Sequence, residues 1–161
     1  MNISAGEILE KGRKLSELDP HEFFKKLKEL NFVGFIRLTI KGKFGFEEAT
    51  LVLDKGSLVA CDYEYFYFNK RFVGEQALNR CLNAFISNFG TLDSFTLTSY
   101  QLQLILTLNG ECVLKKPLKC DELSFPQSFN YSYEEELLPK EEEDKEKLQL
   151  LKKFGLASLK I

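Results

Sequence analysis

Residues capable of acid–base, nucleophilic or metal chemistry are few in this chain and lie apart. Cys61, Cys81, Cys112 and Cys120 include no C-x-x-C pair, and the one histidine, His21, stands away from all of them. Zinc sites draw on closely spaced cysteine and histidine pairs, so this spacing offers no metal centre; the thiols read as structural, with Cys61 in a strand pattern and Cys81 on an apolar helix face as small hydrophobes. Glu47 and Glu48 are neighbours on an expected strand and therefore point to opposite faces. Asp62 and Glu64 share a face, but no histidine or serine motif stands near them to complete a general acid–base pair. His21 falls in the first turn of a helix, an ordinary exposed position. Gly42 and Gly45 are turn glycines, since no G-x-x-x-x-G-K-[ST] phosphate loop occurs. The expectation is a chain that is not an enzyme and carries neither metal nor cofactor.

Binding chemistry is concentrated elsewhere, in the run YEYFYF at residues 63–68. In an extended segment Tyr63, Tyr65 and Tyr67 line one face, and Lys70 and Arg71 follow at once. Three roles fit these residue types. The rings can close the end of a sheet against a helix with their hydroxyls at water. They can form a protein-binding patch, because tyrosine and arginine are enriched in binding hot spots. They can also stack a small molecule or single-stranded nucleic acid, although stacking platforms work beside an electropositive groove. The alternation predicts Tyr63 half-buried and Tyr65 or Tyr67 at an accessible edge, with Arg71 beside them.

The elements that must position this run can be read from pattern. In LDPHEFFKKLKEL, Asp19 is an N-cap and Pro20 the first helical residue, followed by Phe23, Phe24, Leu27 and Leu30 at helical spacing. GFIRLTIKGK alternates Ile36, Leu38 and Ile40 with polar residues, as a strand with one wet face does. Two further strands meet at Asp54-Lys55-Gly56. A two-residue loop there sets Leu53 against Leu58, whereas a three-residue loop sets it against Ser57. Leu51, Leu53 and Leu58 alternate with Val52 and Val59, so both faces of this hairpin are apolar and these are central strands. GEQALNRCLNAFISNFG carries Leu78, Cys81, Leu82 and Phe85 along one helical stripe, with Gly90 placed to end the helix. TLDSFTLTS reads as a strand with Phe95 and Leu97 facing inward. Thr98 and Gln101 can form a capping box for a helix over residues 99–109, a stretch whose leucines also alternate as a strand would.

These elements give an α+β fold, a small antiparallel sheet made of a three-stranded meander plus a fourth strand, packed with two or three helices. Residues 1–118 form the expected compact domain. Residues 119–161, rich in proline, serine and clustered acids, form an extended acidic arm. A short amphipathic helix carrying Leu148, Leu151 and Phe154 closes that arm, as a second candidate surface for a partner protein. The 161 residues, 44% hydrophobic and 29% charged, suit one core. A formal net charge of −2 argues against general nucleic-acid binding. No signal-peptide core and no apolar run of the length of a membrane span is visible, which points to the cytoplasm.

The order helix, meander, helix, strand, helix, with Gly34 opening the meander, Gly56 and Ala60 in its hairpin and Gly74, Ala77 and Leu78 starting the next helix, resembles an uncharacterised archaeal protein family. More remotely it is similar to the PATAN domain of bacterial signalling proteins. The likeness covers roughly residues 20–108, and the ending LLKKFGL looks like a terminal element of the archaeal family. The resemblance implies a mixed α+β fold and a role in protein interaction within a regulatory or adaptor assembly, with a protein partner or a second copy of the chain, and it brings no catalytic residues. The alternative is a small-molecule or single-stranded nucleic-acid binding domain built on the aromatic run.

Overall fold

A computed structural model describes residues 1, 3 and 6–139, and the chain divides into two units, Met1–Tyr131 and Ser132–Ile161. The first unit is built on a seven-stranded antiparallel sheet. Its elements are β1 (Glu7–Lys14), α1 (Pro20–Glu29), β2 (Gly34–Lys41), β3 (Phe46–Asp54), β4 (Ser57–Tyr65), β5 (Lys70–Val73), α2 (Glu75–Ala84), β6 (Gly90–Thr96), α3 (Ser99–Leu108) and β7 (Val113–Lys119). The strands lie in the order β1-β6-β2-β3-β4-β5, and β7 also pairs with β4. The outer edge of β4 is thus shared, with β7 along Ser57 to Ala60 and β5 along Asp62 to Tyr65. In the second unit the described residues hold a short helix, α4 (Ser132–Glu135), in which the Glu136 N–H donates to the Ser132 carbonyl at 2.9 Å.

The meander β2-β3-β4 and the fourth strand β6 are those expected, and β6 takes its place beside β2. Three strands were not foreseen. β1, EILEKGRK, has charges where a strand with a buried face would alternate, and it is a sheet edge, where charges and bulges are the common protection. β5 is only four residues long. β7 contains Pro117, which an edge strand tolerates because one side of its ladder is open. The first unit also runs past the expected boundary at Leu118. Cys120 and Leu123 are buried, and the Phe125 ring lies 5.5 Å from Phe24 and 5.7 Å from Phe85.

Local signals set the element ends. The Asp19 carboxylate accepts from the His21 and Glu22 N–H groups at 2.8 and 3.2 Å, with Pro20 at the first helical position. At α3 the capping box forms as expected: the Gln101 N–H donates to Thr98 Oγ1 at 3.2 Å and the Thr98 N–H to Gln101 Oε1 at 2.9 Å. This cap settles the helix-or-strand ambiguity of residues 99–109 in favour of helix. The β3–β4 hairpin uses the two-residue loop, with Leu53 opposite Leu58 and positive φ at Lys55 and Gly56, the backbone of the hairpin turn that matches strand twist. Gly56 has a second reason to be glycine, because an added Cβ would stand 2.8 Å from Lys28 Cα of α1. Next to the Leu53–Leu58 pair a bulge shifts the register, so that Val52 lies opposite Ala60.

Both faces of the central strands are buried, as their double apolar pattern requires. Ile36, Leu38, Leu51, Leu53, Cys61 and Leu92 face one way, toward α2, whose Cys81 thiol reaches the Asp62 carbonyl at 3.5 Å. Phe24 of α1 joins this layer, its ring 5.1 Å from Phe85. On the other face Phe35, Val52, Val59 and Ala60 cluster with Leu102 and Ile105 of α3. Leu82 and Phe85 are buried as expected of the α2 stripe, while Leu78 is half-buried at its margin. The α2 helix ends at Ala84, before Gly90, which instead begins β6.

Candidate functional site: an aromatic end of the sheet

The run at residues 63–68 straddles the end of β4, and that position divides it. Tyr63 and Tyr65 are strand residues on the α2 face, 1% and 2% exposed, with ring centroids 4.9 Å apart. The Tyr63 hydroxyl donates to the buried Glu47 carboxylate, so a charge on that face has its partner inside the fold. Burial, and then the Glu47 charge, push the Tyr63 phenol well above its ordinary pKa. Tyr65 packs edge-on against Phe72 of β5 at 6.0 Å. After Tyr65 the chain turns: the Asn69 N–H donates to the Phe66 carbonyl at 3.2 Å, and Asn69 takes a positive φ of 48°. The turn ends the alternation, so three phenols on one face is a correction to the extended reading. Phe66 and Tyr67 leave the sheet while Phe68 folds back toward Tyr65, at 6.4 Å.

The β2–β3 turn lies against this one. The Gly42 N–H donates to the Gly45 carbonyl at 2.8 Å, and Phe44 from that turn stacks on Tyr67 at 6.1 Å and meets Phe68 edge-on at 5.4 Å. Gly45 permits the approach, since a Cβ there would stand 3.3 Å from Tyr67 Cβ. The Phe66 N–H donates to the Phe46 carbonyl at 3.3 Å, and the Lys41 N–H to the Phe89 carbonyl at 2.9 Å. Three chain segments therefore bring large rings to one end of the sheet. Phe46, Phe66, Tyr67 and Phe89 are 62%, 50%, 69% and 69% exposed there. Lys41, Lys43 and Lys70 are exposed among them, and Lys43 Nζ stands 5.5 Å from the Phe44 ring centroid. Two nearby carboxylates are engaged away from this edge, Glu47 with Tyr63 and Glu48 with Arg37 at 3.5 Å.

Of Tyr63, Tyr65, Tyr67 and Arg71, only Tyr67 offers its ring to solvent at this end. Arg71 belongs to the opposite face, because its partner across the ladder is Glu64 while Tyr63 and Tyr65 pair with Phe72 and Lys70. Its Nε donates to Asp62 Oδ1 at 2.7 Å, and Nη2 lies 3.4 Å from both Glu111 Oε1 and Cys112 Sγ. The bond to Asp62 holds the guanidinium above its ordinary pKa. This is a structural tie between β4, β5 and the segment before β7, and not an edge of the aromatic surface. Leu148, Leu151 and Phe154 lie outside the described residues.

Phe66 belongs to the run singled out from sequence, whereas Phe46 and Phe89 lie outside it. The glycine-flanked stretch KGKFGF held the available signal, a turn with a phenylalanine at each side of Gly45, but nothing local says which other turn lies beside it. A second exposed apolar stripe runs along α3, where Tyr100, Leu104 and Leu108 recur every four residues on a helix without charged side chains.

His21 packs edge-on against Phe125 at 5.1 Å. Among the described residues no three His, Cys, Asp or Glu side chains are grouped as a metal ion would need. The four cysteines are buried and unbridged, and burial pushes the Cys112 and Cys120 thiols up to about 11, away from the nucleophilic thiolate. No helix among the described residues is long and apolar enough to cross a membrane.

Residues 1–109 match the model of a family described as an uncharacterized protein conserved in archaea, DUF2226. The chain belongs to that family. The matched span runs from β1 through α3 and includes every segment of the aromatic end, whereas β7 and α4 lie beyond it. No curated protein and no solved structure matches the chain.

Proposed function

We propose that this domain is a non-enzymatic protein-interaction module, a regulatory or adaptor component, and that it engages a protein partner through the aromatic end of its sheet. One observation carries the reading. Four large rings, Phe46, Phe66, Tyr67 and Phe89, stand half or more exposed on adjoining segments, where a free-standing surface would bury them. Aromatic residues are the types enriched at the centre of protein interfaces, and their few rotatable bonds make ordering them inexpensive. Lysines at the rim add charge selectivity and steering. The remote similarity to the PATAN domain supports a place in a signalling assembly, and four unbridged cysteines suit the cytoplasm.

The test is capture from native extract on the immobilised full chain, with partners identified by mass spectrometry. A Phe66→Ala/Tyr67→Ala variant is expected to keep its melting temperature and lose capture. Unchanged capture by a folded variant would remove the aromatic end from the interface. The second reading is single-stranded nucleic-acid binding, favoured by Lys41, Lys43 and Lys70 beside stackable rings. It is distinguished by whether nuclease treatment of the extract abolishes capture.

A further inference from the structure

After β7 the chain runs over α1 and α2, and from Leu123 to Tyr131 it forms neither strand nor helix. It lies there as a bound peptide would. Asp121 Oδ2 accepts from Lys28 Nζ at 2.6 Å, and Leu123 is buried. Phe125 sets its ring 5.1 Å from His21, 5.5 Å from Phe24 and 5.7 Å from Phe85. Leu123 and Phe125 are two apart, so an extended backbone turns both to the same side, while Ser124 and Pro126 are exposed. At the far end the buried Asn83 clamps the Asn130 backbone: Nδ2 donates to its carbonyl at 3.1 Å, and Oδ1 accepts from its N–H at 2.8 Å. Among the described residues no backbone-to-backbone hydrogen bond engages residues 124–129. Beside Asp121 the groove continues along α1 as an open cleft of about 580 Å³, lined in part by His21, Lys25, Lys28 and Cys120.

We propose that this α1–α2 groove is a peptide-docking site, filled here by the chain's own residues 121–130 and open to a partner segment of the same pattern: an acid, an apolar residue two further on and an aromatic two beyond that. The site is separate from the aromatic end. Its contacts are those of extended-peptide recognition, pockets for alternate side chains and a polar clamp on the backbone. His21, Phe24, Lys28, Asn83 and Phe85 lie within residues 1–109, the span that matches the family model, whereas the occupying segment lies outside it. Side-chain contacts and the asparagine clamp hold that segment, so its release breaks no strand ladder and is local. Tethering gives it an effective concentration of about millimolar, so a free peptide competes poorly until the chain's own segment is weakened.

The probe is a fluorescein-labelled peptide of residues 121–131, titrated with the full chain and followed by anisotropy. Saturable binding is expected to the full chain carrying Phe125→Ala, about tenfold or more tighter than to the parent, and the peptide should raise the melting temperature of that variant and not of the parent. Adding Asn83→Ala to the variant, or replacing Phe125 of the peptide with alanine, is expected to weaken binding about tenfold or more. A second host, Asp121→Asn/Asn130→Pro, loosens the segment at both ends without touching the ring cluster and is expected to bind likewise. Melting curves establish that each variant is folded. Folded variants that take up no peptide, or uptake indifferent to the peptide's phenylalanine, overturn the proposal. So does failure of both variants to fold, which would make residues 121–130 a permanent part of the core.

Discussion

Tyr63 and Tyr65 differ from Phe66 and Tyr67 by position and not by kind. The first pair lies on β4, in a ladder with β3 on one side and β5 on the other, and the α2 face of the sheet encloses the rings. The second pair lies on a turn, where no neighbour strand or helix covers them and exposure rises to 50% and 69%. Ring-for-ring the hydrophobic gain available on burial is similar. The last ladder pair of β4, Tyr65 with Lys70, separates a structural half of the run from an accessible half.

The widest separation between the halves is expected from truncation. Tyr63→Ala leaves a large cavity and strands the Glu47 carboxylate in the interior, and large aromatic truncations cost about 3–5 kcal/mol. Chemical denaturation of Tyr63→Ala beside Tyr67→Ala measures the contrast. A Tyr63→Ala protein as stable as the parent would break it, since Tyr63 would then be no more a core residue than Tyr67. A finer cut keeps the ring: Tyr63→Phe removes only the donor to Glu47 and is expected to cost about 1–3 kcal/mol, the penalty of leaving a buried polar group unsatisfied. If denaturant midpoints show no loss, the buried hydroxyl–carboxylate contact contributes nothing net.

Alkaline titration sharpens the comparison by a different route. The folded-state pKa of Tyr63 is raised above its unfolded value, so the folded form favours the protonated phenol. The resulting stability is fully present below the ordinary tyrosine pKa of about 10 and is lost as pH rises beyond it. Tyr63→Phe should flatten this alkaline decline when melting temperature is followed against pH, and Tyr67→Phe should not. An identical decline in both variants would assign the effect to other groups. The smallest stability effect is expected at the exposed half, where Tyr67→Ala should change unfolding free energy by no more than about 0.5 kcal/mol. A larger loss would mean that the Phe44–Tyr67 stack holds the two turns together and is not chiefly a surface for a partner.

The aromatic end was only partly visible beforehand because it is assembled from three separated stretches, residues 41–46, 66–70 and 89. The run at 63–68 announced itself by composition, and Tyr67 was rightly among the candidates for exposure, but alternation was carried two residues past the end of β4. Asn69 and Lys70 offered a turn signal only in retrospect. Phe89 reaches the aromatic end because β6 inserts beside β2, an arrangement decided by sheet pairing across some fifty residues of chain. Arg71 looked adjacent to the tyrosines in sequence and is placed on the other face by the two-residue period of β5.

By itself the sequence determined whatever depends on contacts within a few residues: the Asp19 and Thr98 caps, the Lys55-Gly56 hairpin loop, the two-sided apolar pattern of β3 and β4, and hence an α+β fold with central buried strands. Those signals are legible because a cap bonds three residues ahead and a strand repeats every two. Tertiary structure alone decided the recruitment of β1, β5 and β7. It also decided the sharing of the β4 edge and which turns stand side by side at the aromatic end. Edge strands need no internal pattern of their own to pair, and the neighbours of a turn are chosen by register in strands far away along the chain.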